Sequence, residues 1–403
     1  MSSFVIVDPS LRSFNGHFLH YDNAVARAAS ERGYQVVTLA GGNVQSDLPC
    51  DFRVIPCFRR DLEEPFFRAG LTHAFSSLRH VEHRLRRRAF LQDLNLATKE
   101  LELDASSIVF VHTITEHYLA PLVDWLASLP EASRPRLSVL LRYAPSPNPF
   151  YPNAVSAHEY RRGLRYLESS AMRPWVTLLT DSEQLQHEYG ELTDLPLHVL
   201  PIPHARLIDD RAPGAPELVR TMTYLGNARS TKGFQYLPFV IEELHETFTS
   251  GEWVAEFQAN VMFDYDEESQ LALTRMRSLP VRLHEHELTE AEYAGLLARS
   301  SLVVIPYQQL YYYAQTSGVL SEAMAAGKPV VAPRGTWMAD QVKRHGVGTL
   351  FLPGDRVSLV DAVREAIWRI DELEAASLQA RDQWLKTHNS KQFLESLLNS
   401  LAA

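Results

Sequence analysis

Residues Thr316 to Val331 read TSGVLSEAMAAGKPVV, a run whose residue types suit a phosphorylated ligand. Ser317 is a good helix N-cap and Gly318 opens the turn. Free backbone N–H groups and the positive end of the helix dipole can then face an anion such as a diphosphate. Gly327 ends the helix, and Lys-Pro-Val-Val leads into a buried strand. Glu322 falls about one and a half turns into the helix, where its carboxylate can accept hydrogen bonds from the vicinal hydroxyls of a ribose next to that diphosphate. Taken alone, the segment is read equally well as a capped helix carrying a surface glutamate.

Its neighbours shift that balance. Met222 to Lys232, MTYLGNARSTK, is a short apolar strand that breaks at Gly226 into a polar loop bearing Arg229 and Lys232. In open α/β sheets ligands bind beyond the carboxyl ends of strands, so two cations delivered there suit phosphates. The chain has six lysines against thirty-three arginines, which makes a lysine at this point unusual.

Together, YLGNARSTKGF and TSGVLSEAMAAGKPVV resemble the C-terminal domain of retaining GT-B glycosyltransferases of the family-4 type. The resemblance implies that Arg229 and Lys232 hold the donor diphosphate and stabilise it as it leaves, that Glu322 holds the ribose, and that amides around Thr316, Ser317 and Gly318 complete the phosphate site. It implies further that Gly16, in the loop after the first strand, approaches the diphosphate and acceptor. Two departures stand out. The family's first glutamate would fall at position 314, where this chain has Ala314 followed by Gln315, and the arginine usual after the glycine is Asn227.

The elements that must position these residues alternate along the chain. Phe4 to Asp8 reads as a buried strand. Asn15-Gly16-His17 leads to a helix marked by Phe18, Tyr21, Val25 and Ala28, and Gln35 to Ala40 is the next strand, so the opening is that of a doubly wound sheet. Strands at Ile108 to His112 and Leu137 to Arg142 end in His112 and Arg142. Relatives place polar groups on such loops near the anomeric carbon, which makes His112 a candidate at the reacting centre and Arg142 a candidate donor contact. The closely spaced prolines of LPLHVLPIPH mark a domain boundary. The expected architecture is α/β, two Rossmann-like doubly wound domains facing a cleft: residues 1–203 on the acceptor side, 204–385 binding the nucleotide sugar, and a last helix at 386–403 crossing back to the first domain.

Composition bounds the alternatives. The formal charge of −10 gives no support to nucleic-acid binding. Cys50 and Cys57 lack the spacing and histidine partners of a metal site and suit a reducing compartment. The opening SSFVIVDPS lacks the features of a secretory signal. Residues 300–321 are uncharged but are interrupted by Pro306, Gln308, Gln309 and Gln315, so they read as strand and turn rather than a membrane span. Asp264-Tyr265-Asp266 looks like the metal-binding pair of the other glycosyltransferase fold, GT-A, and is set aside as a solvated acidic loop. LRHVEHRLRRRAF, residues 78–90, reads as a basic amphipathic helix with Leu78, Val81, Leu85 and Ala89 on its apolar stripe, either a domain helix burying that stripe or a surface for anionic lipid.

The function expected is a metal-independent hexosyltransferase of polysaccharide biosynthesis, without a cofactor. It would move a sugar from a nucleoside diphosphate donor to the hydroxyl of a saccharide, lipid-linked saccharide or small molecule, in the cytoplasm or at the inner membrane face. The alternatives are a nucleotide-sugar 2-epimerase and a non-catalytic sugar-nucleotide-binding assembly subunit.

Overall fold

The computed structural model describes residues 2–12, 17–45, 48–50, 52–60, 76–145, 155–203, 219–261 and 266–402. The chain divides into two compact units, Met1–His204 with Ser390–Ala403, and Ala205–Asn389. Each contains its own parallel sheet.

The first unit is built on β1 (Ser3–Asp8), β2 (Gln35–Gly41), β3 (Arg53–Phe58), β4 (Ile108–Val111), β5 (Arg136–Leu141), β6 (Val176–Thr180) and β7 (Leu197–Val199). Its seven strands lie in the order β3-β2-β1-β4-β5-β6-β7. Runs such as Phe4-Val5-Ile6-Val7 are wholly buried, as expected of strands covered on both faces. The winding reverses where β1 pairs with β4, Phe4 opposite Ile108 and Val7 opposite Val111. At that switch point the carboxyl ends of the two strands bring Asp8 and the residue after β4, His112, together. The last helix, Ser390–Ala402, contributes Phe393, Leu394 and Leu397 to a core shared with Phe4, Ile6, Tyr21 and Phe110. The chain returns to this unit at Ser390 rather than at 386. Trp384 stays with the second unit, stacked on His388 with ring centroids 3.9 Å apart.

The second unit holds β8 (Arg220–Tyr224), β9 (Trp253–Gln258), β10 (Val281–His284), β11 (Leu302–Val304), β12 (Val330–Pro333) and β13 (Gly348–Phe351). The order is β10-β9-β8-β11-β12-β13, again parallel, with the reversal between β8 and β11, where Leu302 lies opposite Met222. Ligand sites of such sheets form at this reversal, beyond the carboxyl ends. The loops that follow β8 and β11 carry the residues singled out by the sequence. Gly233, at φ 72°, lets them meet, since a Cβ there would stand 1.8 Å from the Pro306 carbonyl oxygen.

One expectation is corrected. The helix Ser76–Thr98 does not bury the stripe read from the sequence: Val81 and Leu85 are 41% and 36% exposed, while Glu82, Phe90, Asp93, Leu94 and Ala97 are buried. Pairing makes the polar burial tolerable. Glu82 accepts a bond of 2.6 Å from Arg86, Asp93 accepts from the Arg59 backbone at 3.0 Å and side chain at 2.7 Å, and Phe90 stacks on Phe58. Arg87 is paired with Glu159 at 3.0 Å, so the arginines do not form one free basic face. The side chains of Leu78 and Arg79 lie outside the described residues. Among the described residues no helix is long and apolar enough to cross a membrane.

Candidate functional site

The loop after β8 turns at Gly226, whose φ of 96° suits a residue without Cβ, and where a Cβ would come within 2.7 Å of Lys232 Nζ. A chain of amides fixes this turn. The Gly226 N–H donates to Gln258 Oε1 at 2.7 Å, Gln258 Nε2 donates to Asn260 Oδ1 at 3.0 Å, and Asn260 Nδ2 donates to Asn227 Oδ1 at 3.1 Å. Asn227, the departure from the family pattern, is thus part of the scaffold of the loop. Farther along, the Ser230 N–H donates to Asp266 Oδ2 at 2.8 Å and Gln308 Nε2 donates to the Ser230 carbonyl at 2.7 Å. Asp266 also caps the helix Glu267–Met276 through Ser269, which explains one half of the acidic pair in structural terms. Asp264 lies outside the described residues.

The cations carried by this loop are poorly matched in charge. Lys232 Nζ sits 5.5 Å from the centroid of the Tyr307 ring. Burial, reinforced by Arg229, pushes its pKa down to about 7, with Glu322 acting the other way. The Nε of Arg229 is buried and has no hydrogen-bond acceptor among the described residues. Glu322 is 9% exposed on the helix Gly318–Ala325, and burial raises its pKa to about 7 despite Lys232 and a bond from Tyr293. Among the described residues Glu322 is the carboxylate that acts on Lys232, and Arg229 adds a second positive charge against it, so the excess is positive.

The helix N-terminus adds to that positive potential. Ser317 Oγ accepts the Leu320 N–H at 3.2 Å as N-cap, and Gly318 is exposed at the first position. Arg229, Lys232, Thr316, Ser317, Gly318 and Glu322 all fall in the loops and helix that follow β8 and β11, as do Tyr307 and Tyr312, while Tyr224 ends β8 and Tyr293 comes from the helix before β11. Ala314 is fully buried. Gln258 and Tyr293 were missed by the sequence reading, and Asp266 was read there as part of a solvated acidic loop. A polar residue at the end of a strand marked Gln258, but nothing local marked Tyr293.

In the first unit His112 is fully buried. Its Nε2 lies 3.0 Å from Asp22 Oδ1 and 3.4 Å from Asp8 Oδ2, and its Nδ1 is 2.9 Å from the Thr113 hydroxyl. Tyr21 stacks on its ring at 4.8 Å between centroids. Burial opposes an imidazolium, yet the two aspartates outweigh it and raise the pKa to about 9. Asp22 is raised by burial and by Asp8. The ligand atoms of Asp8, Asp22 and His112 lie within 4.8 Å of one another, a spacing that a single cation can bridge. Arg142 donates to Asp181 at 3.3 Å and lies 5.0 Å from the centroid of the Tyr21 ring. Burial works against its charge, but Asp181 more than compensates, so its pKa is raised. Gly16 lies outside the described residues.

Residues 219–368 match the model of the family described as Glycosyl transferases group 1. The second unit is a group 1 glycosyltransferase domain. Solved structures extend the likeness to the whole chain. A sucrose-phosphate synthase from Thermosynechococcus elongatus is 12% identical with a TM-score of 0.71, over 100% of this chain and 99% of that chain. An E. coli trehalose-6-phosphate protein bound with UDP-2-fluoro glucose is 15% identical, TM-score 0.68, over 99% of each chain. WaaG, a glycosyltransferase involved in lipopolysaccharide biosynthesis, is 14% identical, TM-score 0.64, over 99% of this chain and 100% of that chain. At these identities the likeness establishes the fold, GT-B, around the glycosyltransferase domain. No curated protein matches the chain.

Proposed function

We propose that the protein transfers a sugar from a nucleoside diphosphate sugar to an acceptor hydroxyl, with retention and without a metal. The observation that carries this reading is the positive charge after β8, Lys232 and Arg229 against Glu322 among the described residues, beside a capped helix N-terminus in a glycosyltransferase domain. In the reaction the bond between the anomeric carbon and the diphosphate oxygen breaks, and the acceptor oxygen bonds to that carbon. With retention the acceptor approaches on the face of the departing diphosphate, whose oxygen takes the acceptor's proton.

Charge builds on the leaving diphosphate, so groups aimed at it lower the barrier without a protein nucleophile. Arg229 and Lys232 are those groups in this reading, Thr316, Ser317 and Gly318 supply amides, and Glu322 receives the ribose hydroxyls. A Lys232 poised near neutrality is charged fully by the arriving anion, which turns binding into an increase in local positive charge. His112 and Arg142 are assigned to the first unit's contribution, with His112 acting through its neighbours, since its ring is enclosed.

Calorimetry with UDP-, GDP- and ADP-sugars tests this. Glu322→Gln is expected to weaken binding of the preferred donor by about 1.5–3 kcal/mol, the worth of a hydrogen bond to a charged group. Unchanged affinity would remove the ribose assignment. Turnover should survive EDTA, and loss restored by magnesium would overturn metal independence. The buried Ala314, where relatives of the family type carry a carboxylate, favours one second reading: tight donor binding with no transfer to any acceptor would identify a non-catalytic binding subunit.

A further inference from the structure

Tyr293 lies on the helix Glu290–Arg299, and its hydroxyl donates to Glu322 Oε2 at 2.5 Å. The residue has no part in the chemistry outlined above, yet its position is tightly specified. A capping box starts its helix, with Thr289 Oγ1 accepting the Glu292 N–H at 3.3 Å and Glu292 Oε2 accepting the Thr289 N–H at 2.8 Å. At the other end, Arg299 Nε donates to Glu256 at 3.1 Å and Ser300 exchanges a 2.8 Å bond with Thr223 of β8. The hydroxyl is therefore carried on a helix secured at both ends. The second oxygen of Glu322, Oε1, accepts no hydrogen bond among the described residues and lies 4.0 Å from where a Cβ on Gly318 would stand, so the missing side chain keeps the approach to it open.

Resting on the reading of Glu322 as the ribose acceptor, we propose that Tyr293 is a positioning residue that sets donor selectivity. By holding Oε2 it fixes the plane of the carboxylate, directs Oε1 to one ribose hydroxyl and leaves one lone pair of Oε2 for the other, so the site prefers ribonucleoside over 2′-deoxyribonucleoside diphosphates. An ionised carboxylate has about four acceptor positions, enough for the phenol and a vicinal diol together. A donor lacking one hydroxyl leaves a buried acceptor short of a partner, and sites built around a substrate hydroxyl discriminate against the analogue without it.

The probes are UDP, GDP and ADP, of which the tightest binder is compared with its 2′-deoxy form by calorimetry on wild type, Tyr293→Phe, Glu322→Gln and the double variant. Wild type should favour the ribose form by about 10- to 100-fold, the range of a hydrogen bond to a charged acceptor. Tyr293→Phe should weaken the ribose form by about 10-fold and the deoxy form much less, shrinking the preference, while donor KM rises and kcat stays within about two-fold. In the Glu322→Gln background the Tyr293→Phe change should have no further effect. Equal losses in both backgrounds, or equal losses for both sugars, would show a merely structural tyrosine and overturn the proposal. So would wild type binding the two forms alike. If Glu322→Gln itself binds like wild type, the ribose reading of the site fails as well. If Glu322→Gln is weakened and Tyr293→Phe is not, only the present inference fails.

Discussion

The two units place charge at the same point of the same topology, the reversal of a parallel sheet, and treat it in opposite ways. In the first, Asp8, Asp22 and Asp181 surround His112 and Arg142, so three carboxylates meet two cations, with rings of Tyr21 and Phe110 packed about them. In the second, Glu322 is the carboxylate among the described residues that acts on Lys232, Arg229 acts against it, and burial depresses Lys232 rather than raising it. A buried charge whose pKa moves toward its charged form has found its partners within the fold, whereas one moved toward neutrality lacks them. On this comparison His112 and Arg142 are the more closely paired cations, although Asp22 beside them is itself moved toward neutrality by burial and Asp8, and Lys232 is the cation that burial depresses.

The largest expected effect follows from the first cluster, where His112 lies between two buried carboxylates. His112→Gln removes the cation between two buried carboxylates and is expected to cost about 3–5 kcal/mol of stability, as for other buried pairs broken on one side. Because the folded pKa of His112 is raised to about 9, above its ordinary 6.5, its contribution is fully present below 6.5 and is lost as pH rises through about 9. Denaturant titrations at pH 6 and pH 10 should therefore show a large difference in wild type and a much smaller one in His112→Gln. A variant as stable as wild type at pH 6 would erase the contrast between the units.

Lys232→Ala is the reciprocal case. Turnover should fall about 100-fold or more, the scale of removing one donor to a developing charge, with little change in the denaturation midpoint. Unfolding in place of lost turnover would return Lys232 to a structural role. The pH dependence sharpens this further. Lys232 is charged below about 7 and Glu322 above about 7, so kcat/KM for the donor should be a narrow bell centred near neutrality. Stability moves the other way. Glu322, raised in the fold, binds more protons than in the unfolded chain between 4.5 and 7, so stability falls there as pH rises, and Lys232, lowered, makes it rise again between 7 and 10.5. Lys232→Arg keeps its charge throughout and should lose the alkaline limb alone. An unchanged bell would mean that other groups set it.

Much of this was legible in the residues themselves because it depends on local chemistry. Ser317 as N-cap, the turn at Gly226 and the apolar runs of β1, β4 and β8 follow from capping, glycine and strand patterning within a few positions. The contacts that organise the site were not legible, because they join residues far apart. Tyr293 meets Glu322, and Asp266 meets Ser230, only through the register of parallel strands and the seating of helices upon them. The helix Ser76–Thr98 misled for a related reason. Its buried face contains Glu82 and Asp93, which an apolar-stripe argument sends to solvent and which Arg86 and Arg59 make acceptable inside.

The smallest effect, and the one that separates scaffold from chemistry within the second unit, belongs to Asp266. Its Oδ2 accepts the Ser230 N–H at 2.8 Å and the Ser269 hydroxyl at 2.9 Å, while Oδ1 accepts the Ser269 N–H at 3.2 Å. Asp266→Ala loses a helix cap, a cost of about 1 kcal/mol, and frees the loop between Arg229 and Lys232. Misplacing that loop by a fraction of an ångström should raise donor KM by about 10-fold. Asp266→Asn keeps one oxygen, enough to accept the Ser269 N–H and cap the helix, but turns its NH2 donor toward the Ser230 N–H, so it should recover most of the stability while donor KM stays raised. Magnesium should change neither variant. If Asp266→Asn has the donor KM of wild type, the bond to the Ser230 N–H does not hold the loop. If both variants behave as wild type, the loop holds its cations without this bond, and the amide chain through Gln258, Asn260 and Asn227 alone fixes them.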